Sequence, residues 1–142
     1  MGRCYNSAVI DAPSDEVWQT IRDFHALEWA SGVITDIEVV GERGGGEIGA
    51  QRVLNGAFHE TLQSLDDEAR TFTYSIDDGP GPVASDAVSN YVGRVRVFPI
   101  TDSNRTFIEW ESTYESDNDA AVGELCNPIY GALLQRLQEH FA

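Results

Sequence analysis

The sequence predicts an α+β fold in which one curved sheet wraps a long C-terminal helix. Three observations predict it. Six strand-like segments follow one another between Ile34 and Tyr114. One long amphipathic stretch, Ala120 to Phe141, closes the chain. Only a shorter helical stretch, near Asp15 to Trp29, interrupts the strands after the first one. A curved sheet on a helix tends to leave space between the two layers, and such space holds small apolar molecules. The element order therefore points to a ligand cavity more than to any one reaction.

Taken in order, the first strand is Tyr5 to Asp11, and Ala12-Pro13-Ser14 punctuates it. Ser14 is placed to cap a helix whose apolar stripe is Val17, Trp18 and Ile21. A second short helical piece runs from His25 to Ala30 and stops at Ser31-Gly32. Ile34 to Val40 is rich in β-branched residues, which favours strand. Gly41 to Gly49 is a glycine-rich connection. Gln51 to Leu54 and Phe58 to Leu65 pair around Asn55-Gly56, a turn dipeptide. Asp66 to Ala69 turns the chain into the strand Thr71 to Ile76. Asp77 to Asp86, with Pro80, Gly81 and Pro82, is a loop. Ser89 to Phe98 and Thr106 to Tyr114 are the two longest strands. The last helix carries Val122, Leu125, Cys126, Ile129, Leu133, Leu137 and Phe141 at helical spacing. Pro128 removes a backbone hydrogen bond within it and Gly131 loosens it further, so a bend is expected. No internal repeat interrupts residues 1–142, which read as a single domain.

A chain of 142 residues can bury a real core. Its formal net charge is -15, and all nine basic residues are arginines. Such a surface repels phosphate backbones and anionic headgroups, which argues against nucleic-acid binding. No apolar run approaches the roughly 18 residues of a membrane span, so no stable membrane insertion is expected. The start, Met1 to Asn6, lacks the apolar core of a signal peptide. A cytoplasmic chain with two free thiols, Cys4 and Cys126, is the resulting expectation.

Gly44-Gly45-Gly46-Glu47-Ile48-Gly49 matches the dinucleotide fingerprint in form only. A strand follows it, where a pyrophosphate would need a helix N-terminus. The absence of lysine excludes a P-loop. His25, His59 and His140 lack metal-ligand spacing to a second His or to a Cys. No nucleophile elbow is present. Neither a cofactor nor a metal is expected.

Strand parity says more. Phe58, Glu60 and Leu62 share one face; so do Phe72, Tyr74 and Ile76. Tyr91, Val95 and Val97 oppose Arg94 and Arg96, and Gly93 on the inward side leaves room. An inward Glu60 is costly unless paired or solvated. Arg52, on the neighbouring strand, is the candidate partner and would keep Glu60 ionised, with a lowered pKa. The competing reading puts Glu60 at a wet end of the sheet. In the strand from Thr106, parity turns Trp110 inward with Ile108, and exposes Glu109 and Glu111.

These stretches, in this order, resemble the START-like, Bet v 1-type (SRPBCC) superfamily, in its polyketide cyclase/dehydrase branch. The resemblance rests on Ala12-Pro13-Ser14-Asp15-Glu16-Val17-Trp18, Asp23-Phe24 with Trp29, and Gly49-Ala50-Gln51-Arg52. It extends through Glu60 to Tyr74, Asn90-Tyr91 and the final helix. It implies a helix-grip fold: a seven-stranded antiparallel sheet around the long C-terminal helix, with two short helices after the first strand. It also implies a cavity for lipids, polyketides, hormones or other apolar molecules. By similarity to plant hormone receptors of the superfamily, Arg52, Glu60, Tyr91 and Glu111 would face that cavity. For Glu111 this opposes the parity reading. The receptors carry a pocket lysine that this chain lacks.

The expected cavity lies between the sheet and the helix near Pro128. Its walls should include Leu62, Tyr74, Tyr91, Val95 and Tyr130, beside the polar Arg52, Glu60 and Glu111. Its mouth should lie at Asn55-Gly56 and Asp78 to Asp86. The favoured function is binding or transport of a small apolar ligand that bears a polar group. The runner-up is a cyclase, dehydratase or aromatase using Glu60, Tyr91 and Arg52 in acid-base roles. A third reading is a structural or partner-binding protein whose cavity is filled by the side chains of Tyr74, Tyr91 and Tyr130. A small apolar molecule is thus the expected partner, and a homodimer is left open.

Overall fold

The computed structural model describes residues 1–142. Strand β1 (Gly2–Ile10) is followed by helix α1 (Ser14–Ile21) and a 3-10 turn, Glu28–Ala30. Next come β2 (Ile37–Val40), β3 (Gln51–Leu54), β4 (Phe58–Asp66) and β5 (Thr71–Asp78). A second 3-10 turn, Gly81–Val83, leads to β6 (Val88–Ile100), β7 (Arg105–Ser116) and helix α2 (Asp119–His140). The seven strands form one antiparallel sheet in the order β1-β7-β6-β5-β4-β3-β2. This is the helix-grip α+β architecture.

Local chemistry explains the joints. Asn55 and Gly56 both adopt positive φ, 54° and 63°, in the short loop of residues 55–57 that turns Leu54 back to pair with Phe58. Asn118 caps α2, its side chain accepting from the Ala121 amide at 3.1 Å. α2 runs unbroken through Pro128, which sits on its exposed side. Ser14 does not cap α1. Pro13 holds the cap position with extended backbone, and Ser14 is the first helical residue, its hydroxyl accepting from Arg70. The second helical piece shrinks to the three-residue turn Glu28–Ala30.

α2 buries Val122, Cys126, Tyr130, Leu133, Leu134 and Leu137. Facing them from the sheet are Leu62, Phe72, Tyr74, Tyr91, Val95, Ile108 and Trp110, all buried. Parity thus holds along most of β4 to β7, with register shifts at His59/Glu60, Leu62/Ser64 and Ser89/Val92. A bulge between Leu62 and Ser64 shifts the register, so that Leu65, not Ser64, lies opposite Phe72. On the outer face, β1, β7 and β6 carry a charged ladder of Arg3, Arg94, Arg96, Glu109 and Glu111. No helix is long and apolar enough to cross a membrane.

Candidate functional site

Arg52 and Glu60 are cross-strand partners on β3 and β4, a register set by the tight Asn55-Gly56 turn. Both are buried, at 4% and 6% exposure. Arg52 Nε and Nη2 donate to Glu60 Oε1 at 2.9 and 2.7 Å. Nη1 donates to the Phe24 carbonyl at 2.8 Å, and the guanidinium lies 3.7 Å from the Phe24 ring centroid. Every bond from Arg52 to Glu60 ends on Oε1. Oε2 has no hydrogen-bond partner in the protein.

The pair forms the polar end of an otherwise apolar cavity of about 90 Å³ between the sheet and α2. Tyr74, Ile76 and Trp110 line the sheet side; Cys126, Tyr130 and Leu133 line the helix side. The rim is made of half-buried side chains: Val33, Ile34, Phe58 and Ile129. Drug-sized ligands occupy sites of roughly 300–1,000 Å³, and an apolar void of roughly 150 Å³ accepts benzene. A ligand of even one ring therefore requires rim side chains to move.

Tyrosines fill the rest of the space. Gly93 lies directly across from Tyr74 on β6, and a Cβ there would overlap the Tyr74 ring. The room that Gly93 leaves is thus taken by Tyr74. Trp110 Nε1 donates to the Tyr74 hydroxyl at 2.9 Å, and Tyr74 donates to the Tyr130 hydroxyl at 3.1 Å. Tyr130 and Tyr91 are hydrogen-bonded through their hydroxyls. The Trp110 and Tyr130 rings stack at 5.3 Å. Burial raises all three phenol pKa values, so the phenols stay neutral.

Burial also raises the pKa of Glu60, and it outweighs the opposing pull of Arg52. This corrects the expectation that Arg52 would lower it. A single cation at hydrogen-bonding distance does not compensate for the near-complete loss of water around the carboxyl.

Of the residues expected at the site, Arg52, Glu60, Tyr74 and Tyr130 meet at the cavity. Leu62, Tyr91 and Val95 share its inner face but do not line it. Tyr91 stands behind Tyr130, Leu62 pairs with Tyr74, and Val95 lies between Phe72 and Trp110 in the sheet. Glu111 is on the opposite, outer face. There it bonds Arg3 Nε at 2.8 Å and Nη2 at 2.6 Å, and also Arg94. These arginines hold its carboxyl below the usual range. Parity is therefore right about the face of Glu111 but not about its exposure, since the residue is buried at 7% beneath its arginine partners. Asn55 belongs to the lining, whereas no residue of Asp78–Asp86 does; the rim runs instead along Leu27, Val33 and Ile34. Trp110 was marked as inward by parity alone. Leu27, Val33 and Ile34 sit in an irregular segment with no periodicity to mark them.

The whole chain, residues 1–142, matches the family described as polyketide cyclase / dehydrase and lipid transport. The chain belongs to this family. At the family level it is a ligand-binding protein. Among solved structures, a protein from Nitrosospira multiformis is 41% identical, with TM-score 0.95, over 99% of this chain and 96% of that one. The protein XoxI from Bacillus cereus is 28% identical with TM-score 0.81, over 99% and 96% of the two chains. Norcoclaurine synthase from Thalictrum flavum, solved with dopamine and hydroxybenzaldehyde, shares the fold. It is 16% identical with TM-score 0.74, over 96% of this chain and 84% of that one. No curated protein matches the sequence.

Proposed function

We propose that this family member binds one small, mostly apolar molecule carrying a hydrogen-bond donor, between β3–β5 and α2. Arg52, Glu60, Tyr74 and Tyr130 are the proposed contacts. One observation carries the reading: Glu60 Oε2 has no protein partner in a wall that is otherwise apolar. Protein atoms do not close that oxygen off, so it stays open to the cavity, where a ligand donor would satisfy it. The same oxygen weighs against a cavity that merely packs on itself.

A second reading is an acid-base enzyme of the cyclase or dehydratase kind. Its support is the raised pKa of Glu60 beside neutral phenols. A carboxyl tuned towards neutrality can serve as general acid or base. Norcoclaurine synthase, of the same fold, holds two one-ring molecules.

One-ring probes test both readings. Phenol and phenethylamine carry a donor; toluene carries none. By calorimetry the first two should bind about tenfold more tightly than toluene, as a hydrogen bond to a charged group implies. Glu60→Gln should remove most of that preference while the fold persists. Equal affinities in the wild type would overturn the binding reading. A Glu60→Gln chain that binds a substrate normally but no longer turns it over would establish the enzyme instead.

A further inference from the structure

The two cysteines meet behind the cavity. Cys4 on β1 and Cys126 on α2 are free and buried, at 0% and 2% exposure. The β1 residues Cys4, Asn6 and Ile10 share the face that packs on α2. One residue after Cys126, Asn127 accepts from Asn6 Nδ2 at 2.9 Å, which pins β1 to this turn of the helix. The two thiols interact directly. The Tyr114 hydroxyl lies 3.7 Å from Cys4 Sγ, and Ser112 and Tyr91 complete the polar surroundings. Cys126 is part of the cavity wall, and Cys4 is not. One sulfur is therefore reachable from the cavity, and a second stands directly behind it.

We propose that Cys4 and Cys126 form a peroxide-reactive dithiol site, entered through the cavity, that closes to a disulfide joining β1 to α2. Hydrogen peroxide is little larger than water, and the cavity has room for it where it has little for a ring. The thiolate is the reactive form. Hydrogen bonding from Cys126, and then from Tyr114, brings the Cys4 thiol down to about 6, whereas the Cys126 thiol is pushed up. The pair thus shares one proton near neutral pH, and the cavity-facing Cys126 becomes the attacking thiolate by passing its proton to Cys4.

The steps balance as follows. A thiolate sulfur attacks one oxygen of hydrogen peroxide and the O–O bond breaks. The other oxygen leaves as hydroxide and takes up the shared proton as water. The attacking sulfur is now a sulfenic acid. The second sulfur, now the thiolate, displaces the hydroxyl group as hydroxide, which takes a proton from solvent to become water, and the S–S bond forms. Two electrons pass from the thiols to the peroxide. The proposal does not depend on what else the cavity binds.

Peptide mapping tests it on the purified full-length wild type. Because the chain has no lysine, trypsin cuts only at arginine. Cys4 then lies in the peptide 4–22 and Cys126 in 106–136. After treatment with hydrogen peroxide, a linked 4–22/106–136 pair should appear without reductant, with the intact mass lowered by two hydrogens. Ile129→Trp, at the rim, should slow the linkage by tenfold or more. In Cys4→Ser, checked for folding by circular dichroism, Cys126 should stop at a dimedone-trappable sulfenic acid. Sulfinic or sulfonic acid without the linked pair, links between chains, or no reaction of the folded protein would overturn the proposal. An unchanged rate in folded Ile129→Trp would overturn the cavity route. If Cys4→Ser fails to fold, the wild-type map decides.

Discussion

Arg52 holds three things at once: the Glu60 carboxylate, the Phe24 carbonyl and the face of the Phe24 ring. Arg52→Leu leaves Glu60 buried and unpaired. Removing one member of a buried ion pair costs about 3–5 kcal/mol, which a shift of the urea midpoint would measure. The loss should depend on pH. Without its cation, Glu60 sits still further above its ordinary value of 4.5 in the folded chain. A raised folded pKa means stability that is fully present below the unfolded value and is lost as pH rises through the folded one. The variant's deficit should then be smaller at mildly acidic pH than at alkaline pH. An equal deficit at both would show that Glu60 is not the group left stranded. Gly93 tests the packing of the same site. Gly93→Ala pushes into Tyr74, whose hydroxyl accepts the hydrogen bond from Trp110 Nε1. Overpacking of this kind costs about 1–3 kcal/mol by thermal melt. A neutral result would mean that the Tyr74 ring has room to give way.

At the scale of elements, the outer face of β1, β7 and β6 works as a unit. Register sets Tyr5, Glu111 and Arg94 side by side across three strands, and Arg3 reaches Glu111 as well. The neighbouring row pairs Arg96 with Glu109 at 3.2 Å. Arg94 first, then Arg3, lowers the Glu111 pKa against the opposing effect of burial. A lowered folded pKa means stability present above the unfolded value, 4.5, and lost as pH falls through the folded one. Glu111→Gln should therefore melt lower than the wild type at neutral pH, with the gap closing below that value. Binding of phenol should not change, because Glu111 faces away from the cavity. A large loss of affinity would return Glu111 to the site. The same elements explain what was legible in advance. Alternation along β4 to β7 marks Glu60, Tyr74 and Trp110 as inward, because a strand can hide only one face. Alternation carries no size information. It shows the gap at Gly93 but not that Tyr74 fills it, and it shows Arg52 beside Glu60 but not how much water the pair loses. The bulge after Leu62 and the irregular segment from Leu27 to Ile34 depend on packing partners far along the chain. Similarity placed Glu111 by family position, where local register decides its face.

For the molecule as a whole, charge and shape together select what enters. Seven of the nine arginines are already paired with carboxylates; only Arg43 and Arg105 are not. The surface field is therefore negative, at a net charge of -15, and disfavours anionic ligands over neutral or cationic ones. Entry has to occur where side chains can move without breaking the sheet. The rim at Val33, Ile34, Phe58 and Ile129 is half-buried, and on one side it belongs to the segment between the 3-10 turn Glu28–Ala30 and β2. Local opening uses regions with few buried contacts, and hydrogen exchange reports them. Phenethylamine at saturation should slow amide exchange most in Leu27–Ile34, around Asn55 and along the α2 turn from Ile129 to Leu133. Asp78–Asp86 should change little, since Val83 is packed in the core and no residue of that loop lines the cavity. Protection centred on Asp78–Asp86 would move the mouth to the other side of the β3–β5 wall. Uniform protection along the chain would mean that the probe stabilises the fold globally and that no local gate exists.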